Sequence, residues 1–238
     1  MKIEVWSDYA CPFCYIGKRH LDLALEQFPH KEYVSVRFKS YELDPEAAVD
    51  PKKSYHQMLA DKFNKSIAEA EEMTSGIATQ AATAGLDYQF EEMVSTNTFD
   101  AHRLTKFAEN SGKGLQMVER LFKAHFTEAE HVGDVESLTK LAVEVGLDKD
   151  EVEEFLQSCK GTKRVREEEE QAMQIGVRGV PFFVLNDKYA LSGAQPPEAF
   201  LQALNQVWDE LDEKPTKLPV DEQHASFCTG DENECPKS

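Results

Sequence analysis

The segment Cys11-Pro12-Phe13-Cys14 sets two thiols one helical turn apart, a spacing that suits reversible dithiol–disulfide chemistry. Cys11 stands where strand-like sequence ends and helical sequence begins. The first N–H groups of a helix have no intrahelical partner, and the helix dipole favours negative charge there, so a sulfur at this point is expected to hold a thiolate. Pro12 suits the first turn, because its missing N–H would have had no partner anyway. Cys14 is then placed to attack a mixed disulfide formed by Cys11, which makes Cys11 the nucleophile and Cys14 the resolving thiol. The other chemistry open to such a pair is half of a zinc site, which needs two further ligands at suitable spacing. Cys228 and Cys235 are available, but the six residues between them exceed the usual zinc hairpin.

Elements must exist to hold that pair. Residues 2–7 alternate through Ile3, Val5 and Trp6 and predict a strand. Tyr15 to Phe28 follows with Leu21, Ala24, Leu25 and Phe28 on one stripe, predicting a helix that Pro29 stops. Residues 33–38 alternate again, completing a βαβ unit. A long helical tract then runs from about residue 50 to 160 and reads as a helical subdomain. Leu115, Val118, Leu121, Phe122 and Phe126 share one face, and Leu138, Leu141, Ala142 and Val145 another. Gly146 suits a left-handed helix end, and Asp148 with Glu151 resembles a capping box. Strand signals return at residues 181–185 and 189–191 around an Asn186-Asp187 turn, and residues 197–211 predict a last helix.

The fold class expected is therefore α/β, in the order βαβ, helical insertion, ββα. Its boundaries are a first sheet portion at 1–45, a helical domain at 46–162, a second sheet portion at 163–211, and a tail at 212–238. The tail holds three of the ten prolines, many acids and the pair Cys228 and Cys235.

Composition narrows the function. The chain has 238 residues, 41% hydrophobic and 29% charged, with a formal net charge of −18. So large an acidic excess repels nucleic-acid phosphates, and no stretch approaches the roughly 20 apolar residues that cross a bilayer. The basic window at 160–166 runs directly into Glu167 to Glu170 and reads as a solvated helix face. Met1 to Asp8 lacks an apolar signal core, which predicts a chain that stays in the cytosol, where paired cysteines serve redox or metal chemistry more often than structure.

Three segments carry a resemblance. Trp6-Ser7-Asp8-Tyr9-Ala10-Cys11-Pro12-Phe13-Cys14-Tyr15-Ile16-Gly17-Lys18, Asn97-Thr98-Phe99-Asp100-Ala101-His102-Arg103-Leu104 and Leu191-Ser192-Gly193-Ala194-Gln195-Pro196 are similar to motifs of the DsbA family, in its FrnE-like subgroup. The resemblance spans residues 1 to about 211. It implies a thioredoxin-like fold with a large inserted α-helical domain, and dithiol–disulfide exchange or isomerisation with no cofactor beyond the cysteine pair. Partners would be protein or small-molecule disulfides, with glutathione as co-substrate or a thioredoxin-type system for recycling.

On the sequence alone, Pro181 is a proline that opens a strand. The thioredoxin superfamily places a cis-proline before its third strand, facing the cysteine pair. Val180-Pro181 is then the loop that, with Pro12 and Phe13, meets substrate by β-addition. DsbA has a histidine between its cysteines where this chain has Phe13. A ring without a donor stabilises a thiolate less, which implies weaker oxidising power and favours reduction or isomerisation.

Other residues stay open. His102 and Arg103 are either packed helix residues or the lining of a groove under the cysteines, and Glu4 and Asp8 are nearby candidates for a base. Cys159 is expected to be a packed, unreactive thiol. Cys228 and Cys235 suit an auxiliary redox shuttle, a clamp on the tail, or a metal site. The alternative activity is that of kappa-class transferases and hydroxychromene-carboxylate isomerases, which resemble this architecture but generally replace the first cysteine with serine. A peptide-binding chaperone without catalysis is the third class.

Overall fold

The computed structural model describes residues 1–211. The sheet is built from β1 (Lys2–Ser7), β2 (Ser35–Ser40), β3 (Phe182–Leu185) and β4 (Tyr189–Ser192), in the order β2-β1-β3-β4. β1 runs parallel to β2 and antiparallel to β3, with Val5 opposite Phe38 on one side and Phe183 on the other. β3 and β4 form a hairpin through Asn186 and Asp187, both with positive φ as a type I′ turn requires.

Strand periodicity assigns the two faces. Ile3, Val5, Phe183 and Leu185 point toward α1 (Pro12–Gln27) and α9 (Pro197–Asp209), where they meet Leu21, Ala24, Phe28, Phe200 and Leu204 in the main core. Trp6, Phe182 and Val184 point the other way and pack on Ala172 and Val177, at and just beyond the end of α8 (Thr162–Gln174). The sheet is thus covered on both sides, which is the thioredoxin arrangement.

Between β2 and α8 lie α2 (Tyr55–Phe63), α3 (Ile67–Thr83), α4 (Phe99–Glu109), α5 (Gly114–Phe126), α6 (Val135–Glu144) and α7 (Lys149–Gln157). Their starts are written in the sequence: Ser66 and Glu69 form a reciprocal capping box, and Asp134 and Asp148 accept from the N–H groups three residues on. The core continues without a break from the sheet into this insertion. No helix among the described residues is long and apolar enough to cross a membrane.

Two expectations need correction. The helical tract from 50 to 160 is interrupted, because residues 84–98 form an irregular loop. Gly85 starts it in the left-handed region, and its buried Leu86, Tyr88, Phe90 and Met93 are held by packing against the core instead of by a helical stripe. The charge run in α8 is not a wholly solvated face. Val165, Glu168 and Ala172 recur at three and four residues and face inward, so Glu168 is buried. It accepts from the N–H of Ser40 at 2.8 Å and pairs with Lys106 at 2.7 Å, while Arg164 pairs with Glu109 and Arg166 with Glu42. Against the cost of its burial, Lys106, Lys39 and the Ser40 N–H draw the Glu168 carboxyl down to about 2.

Candidate active site

Cys11 is the N-cap of α1, in extended backbone geometry, with Pro12 opening the helix behind it. The N–H of Cys11 donates to the Asp8 carbonyl at 3.1 Å, and the N–H of Cys14 donates to the Cys11 carbonyl at 3.0 Å. This tight turn stacks the two sulfurs on one side of the first helical turn. Both are free thiols. Cys14 is 1% exposed, Cys11 5%, and Phe13 between them 36%, so the turn presents the Phe13 ring outward and keeps both thiols buried.

The Val180–Pro181 loop closes over this turn. Its peptide bond is cis, and the Cys11 thiol donates to the Val180 carbonyl at 3.5 Å. The approach depends on Gly17: a Cβ there would stand 3.0 Å from Pro181 Cγ and 3.1 Å from the Phe183 ring. Val180 lies outside β3, which begins at Phe182.

The insertion supplies the other wall. The Tyr88 hydroxyl donates to the Pro12 carbonyl at 2.7 Å. Tyr55 and Tyr88 are both buried, and burial pushes both hydroxyls well above the ordinary phenol range, with the charge of Cys11 adding to the effect. Both remain neutral. Tyr15 stacks on Phe122, centroids 5.2 Å apart, and its hydroxyl donates to Glu119 at 2.8 Å. Lys18 and Arg19 of α1 also grip Glu119, at 2.6 and 2.8 Å, and hold its carboxyl below the usual value despite its partial burial. Helix α1 is therefore fixed to α5 directly behind the cysteines.

Burial pushes the Cys14 thiol up, and Cys11 beside it pushes further; the Asp8 main chain and the Ser7 hydroxyl pull the other way. Cys14 thus stays protonated until something removes its proton. Asp8 is itself buried. Its carboxylate accepts from Thr98 at 2.7 Å, from the N–H of Leu43 at 2.7 Å and from the N–H of Ala10 at 3.2 Å, and lies 3.4 Å from His102 Nε2. Burial opposes that charge, but His102 and the donated bonds outweigh it and hold the carboxyl below its ordinary value.

The other candidate residues are separated by the fold. Arg103, next to His102, reaches away to the end of α7, where it donates to the carbonyls of Phe155, Leu156, Ser158 and Lys160. It caps a helix. Glu4 pairs with Lys39 at 3.2 Å and Lys2 at 3.1 Å on the α8 side of the sheet. Cys159 corrects its expectation, since it is disulfide-bonded. It sits half-buried in the turn after α7. Cys228 and Cys235 lie outside the described residues. Among the described residues no cluster of His, Cys, Asp and Glu could hold a metal ion.

Local sequence did not reveal Tyr55, Tyr88, Ser7 or Gly17 as site residues. Tyr88 sits in the irregular loop and Tyr55 at the start of α2, and both reach the cysteines through tertiary packing alone.

A thioredoxin-type sheet with a helix-capping cysteine pair, a facing cis-proline loop and a helical insertion defines the class of DsbA-like proteins. Residues 2–205 match the model of the DSBA-like thioredoxin domain, and the chain belongs to that family. A probable DsbA oxidoreductase from Streptomyces coelicolor is 39% identical, with a TM-score of 0.84 and full coverage of both chains. The uncharacterized protein YwbO of Bacillus subtilis is 28% identical over 215 residues, covering 85% of this chain and 95% of its own. A 2-hydroxychromene-2-carboxylate isomerase shares the fold at 19% identity and a TM-score of 0.68, over 87% of this chain and 96% of that one.

Proposed function

We propose that this protein is a thiol–disulfide oxidoreductase and isomerase of the FrnE-like kind, working through Cys11 and Cys14. The Cys11 thiolate attacks one sulfur of a substrate disulfide. A mixed disulfide forms and the other substrate sulfur leaves as a thiolate. Cys14 then attacks the Cys11 sulfur, the Cys11–substrate bond breaks, and the second substrate thiolate departs. The substrate gains two electrons and the cysteine pair becomes a disulfide. When the released thiolate attacks elsewhere in the same substrate before Cys14 acts, the outcome is isomerisation.

The observation that carries this reading is the pairing of two free, buried thiols, one at a helix N-cap against the Val180 carbonyl and the other one turn behind it. Pro12 and Phe13 offer an apolar rim, and the main chain of Val180 beside Pro181 offers an edge for an extended substrate. Because Phe13 donates no hydrogen bond to sulfur, reduction or isomerisation is favoured over net oxidation. Glutathione, as co-substrate, or a thioredoxin-type system in a reducing cytosol would restore the dithiol.

Dithiothreitol-driven reduction of insulin tests the proposal. The wild-type chain accelerates it and Cys11→Ser does not. A glutathione-dependent transferase would instead conjugate small aromatic electrophiles and keep that activity in Cys14→Ser, an outcome that replaces this reading with the other.

A further inference from the structure

Cys14 can resolve a mixed disulfide only after it loses a proton, and the surrounding burial holds that proton in place. We propose that His102, steadied by Asp8, takes it through one water held in a cavity beneath the thiol pair. This rests on the dithiol reading above.

The cavity has a volume of about 10 Å³ and is lined by Phe38 and by the polar residues Ser7, Tyr9, Lys39, His102, Thr105 and Lys106, every one of them buried. That is room for about one water, and a buried water needs two to four polar partners. Ser7 connects the cavity to the chemistry, since its hydroxyl also faces the Cys14 sulfur. His102 stands on the same cavity with its Nε2 buried and without a hydrogen-bond partner; the Asp8 contact at 3.4 Å is an ion-pair distance without hydrogen-bond alignment. A buried imidazole nitrogen left unpaired is costly, and a water shared with Ser7 would satisfy it.

No other lining group suits the task. Burial drives the Tyr9 hydroxyl far above the phenol range, and it is 2.5 Å from Thr105 Oγ1, which donates in turn to the Ala101 carbonyl. Lys39 is paired with Glu4, and Lys106 with Glu168. An imidazole is the side chain that takes and returns a proton between pH 5 and 8. The charged and titratable groups around it are Asp8 and Tyr9 at the end of β1, Lys39 and Glu42 on and after β2, Lys106 on α4 itself, and His125 of α5, which senses Asp8 from behind. Of these, the Asp8 carboxylate is in direct contact and would hold the imidazolium.

The Cys14 proton passes by way of Ser7 and the water to His102, while the Cys14 thiolate attacks the Cys11 sulfur. The Cys11–Cys14 bond forms, the Cys11–substrate bond breaks, and its electron pair leaves with the substrate thiolate, which takes a proton from solvent. In the reverse direction His102 returns the proton to Cys14.

The test mixes reduced protein with 5,5′-dithiobis(2-nitrobenzoate) in a stopped-flow instrument between pH 5 and 9. Attack by Cys11 releases the first coloured thiolate at a rate that depends on reagent concentration. Resolution by Cys14 releases the second at a rate that does not. His102→Gln is expected to slow the second phase by about 10²-fold at pH 6 to 7, the lower end of general-base contributions, with the first phase unchanged. The gap should narrow toward pH 9, where solvent base removes the proton. Ser7→Ala, which leaves Asp8 and His102 intact, should slow the same phase in the same pH range and carries the test if His102→Gln does not fold. A second phase unchanged in both variants, or both phases slowed equally, overturns the proposal. A wild-type protein that releases no second thiolate at any pH overturns the dithiol reading instead.

Discussion

The Tyr88 hydroxyl donates to the carbonyl oxygen of Pro12, 76 residues earlier in the chain, at 2.7 Å. The insertion thus holds the backbone of the active-site turn directly. Tyr88→Phe removes the bond and leaves the Pro12 carbonyl to find another donor. The expected cost is about 1 kcal/mol in urea unfolding, with the denaturant slope unchanged. Disulfide formation between Cys11 and Cys14 should persist, since neither sulfur loses its position at the helix start. A stability equal to wild type would mean that the hydroxyl adds nothing to the turn.

Glu168 is the anchor between α8 and the rest of the molecule. Glu168→Gln leaves the Lys106 ammonium buried with a weaker partner, and a loss of about 3 kcal/mol is expected, the lower end for breaking a buried pair. The double variant Lys106→Met with Glu168→Gln should recover part of that loss. Chemical unfolding of the two variants beside wild type measures both numbers, and a single variant as stable as wild type would show that the pair carries no structural weight.

Acid should weaken the fold in two stages. Burial lowers His125 from its ordinary 6.5 to about 4, so the unfolded chain binds a proton between those values that the folded chain refuses. Stability is unaffected above pH 6.5, falls as the pH drops toward 4, and loses about 3 kcal/mol over that window from this group. Glu168, drawn from 4.5 to about 2, contributes stability that is present above pH 4.5 and lost below it. His125→Asn should flatten the first stage and leave the second; urea midpoints read every half unit of pH would reveal a first stage that survives the substitution.

How much the sequence discloses differs between sheet and site. β1, β2, β3 and β4 are legible because Ile3 and Val5 alternate with residues of the other face, and because Asn186-Asp187 marks the turn between β3 and β4 with two residues that tolerate positive φ. α1 is legible from its leucine stripe and from Pro12. The thiol pair is legible as a motif, since a two-residue spacing at a helix start is local information. What surrounds it is not. Tyr55, Tyr88 and the Val180 carbonyl reach Cys11 from segments 44 to 169 residues distant, and no periodicity encodes such contacts. The fate of α8 was hidden for a related reason: a run of alternating charges looks solvated until a strand is laid along it. His102 was ambiguous because a helix position says nothing of what the ring faces, and the residue that answers this, Asp8, stands three positions before Cys11 and far from His102 in sequence.

The central claim is that Cys11 attacks and Cys14 resolves. Mass spectrometry of each single variant after brief exposure to oxidised glutathione at pH 7 tests it most directly. Cys14→Ser should accumulate a glutathione adduct on Cys11, Cys11→Ser should remain unmodified at Cys14, and the wild type should convert to a Cys11–Cys14 disulfide with no lasting adduct. An adduct that accumulates on Cys14 in the absence of Cys11, or a Cys11 thiol that stays unmodified in Cys14→Ser, would contradict the account.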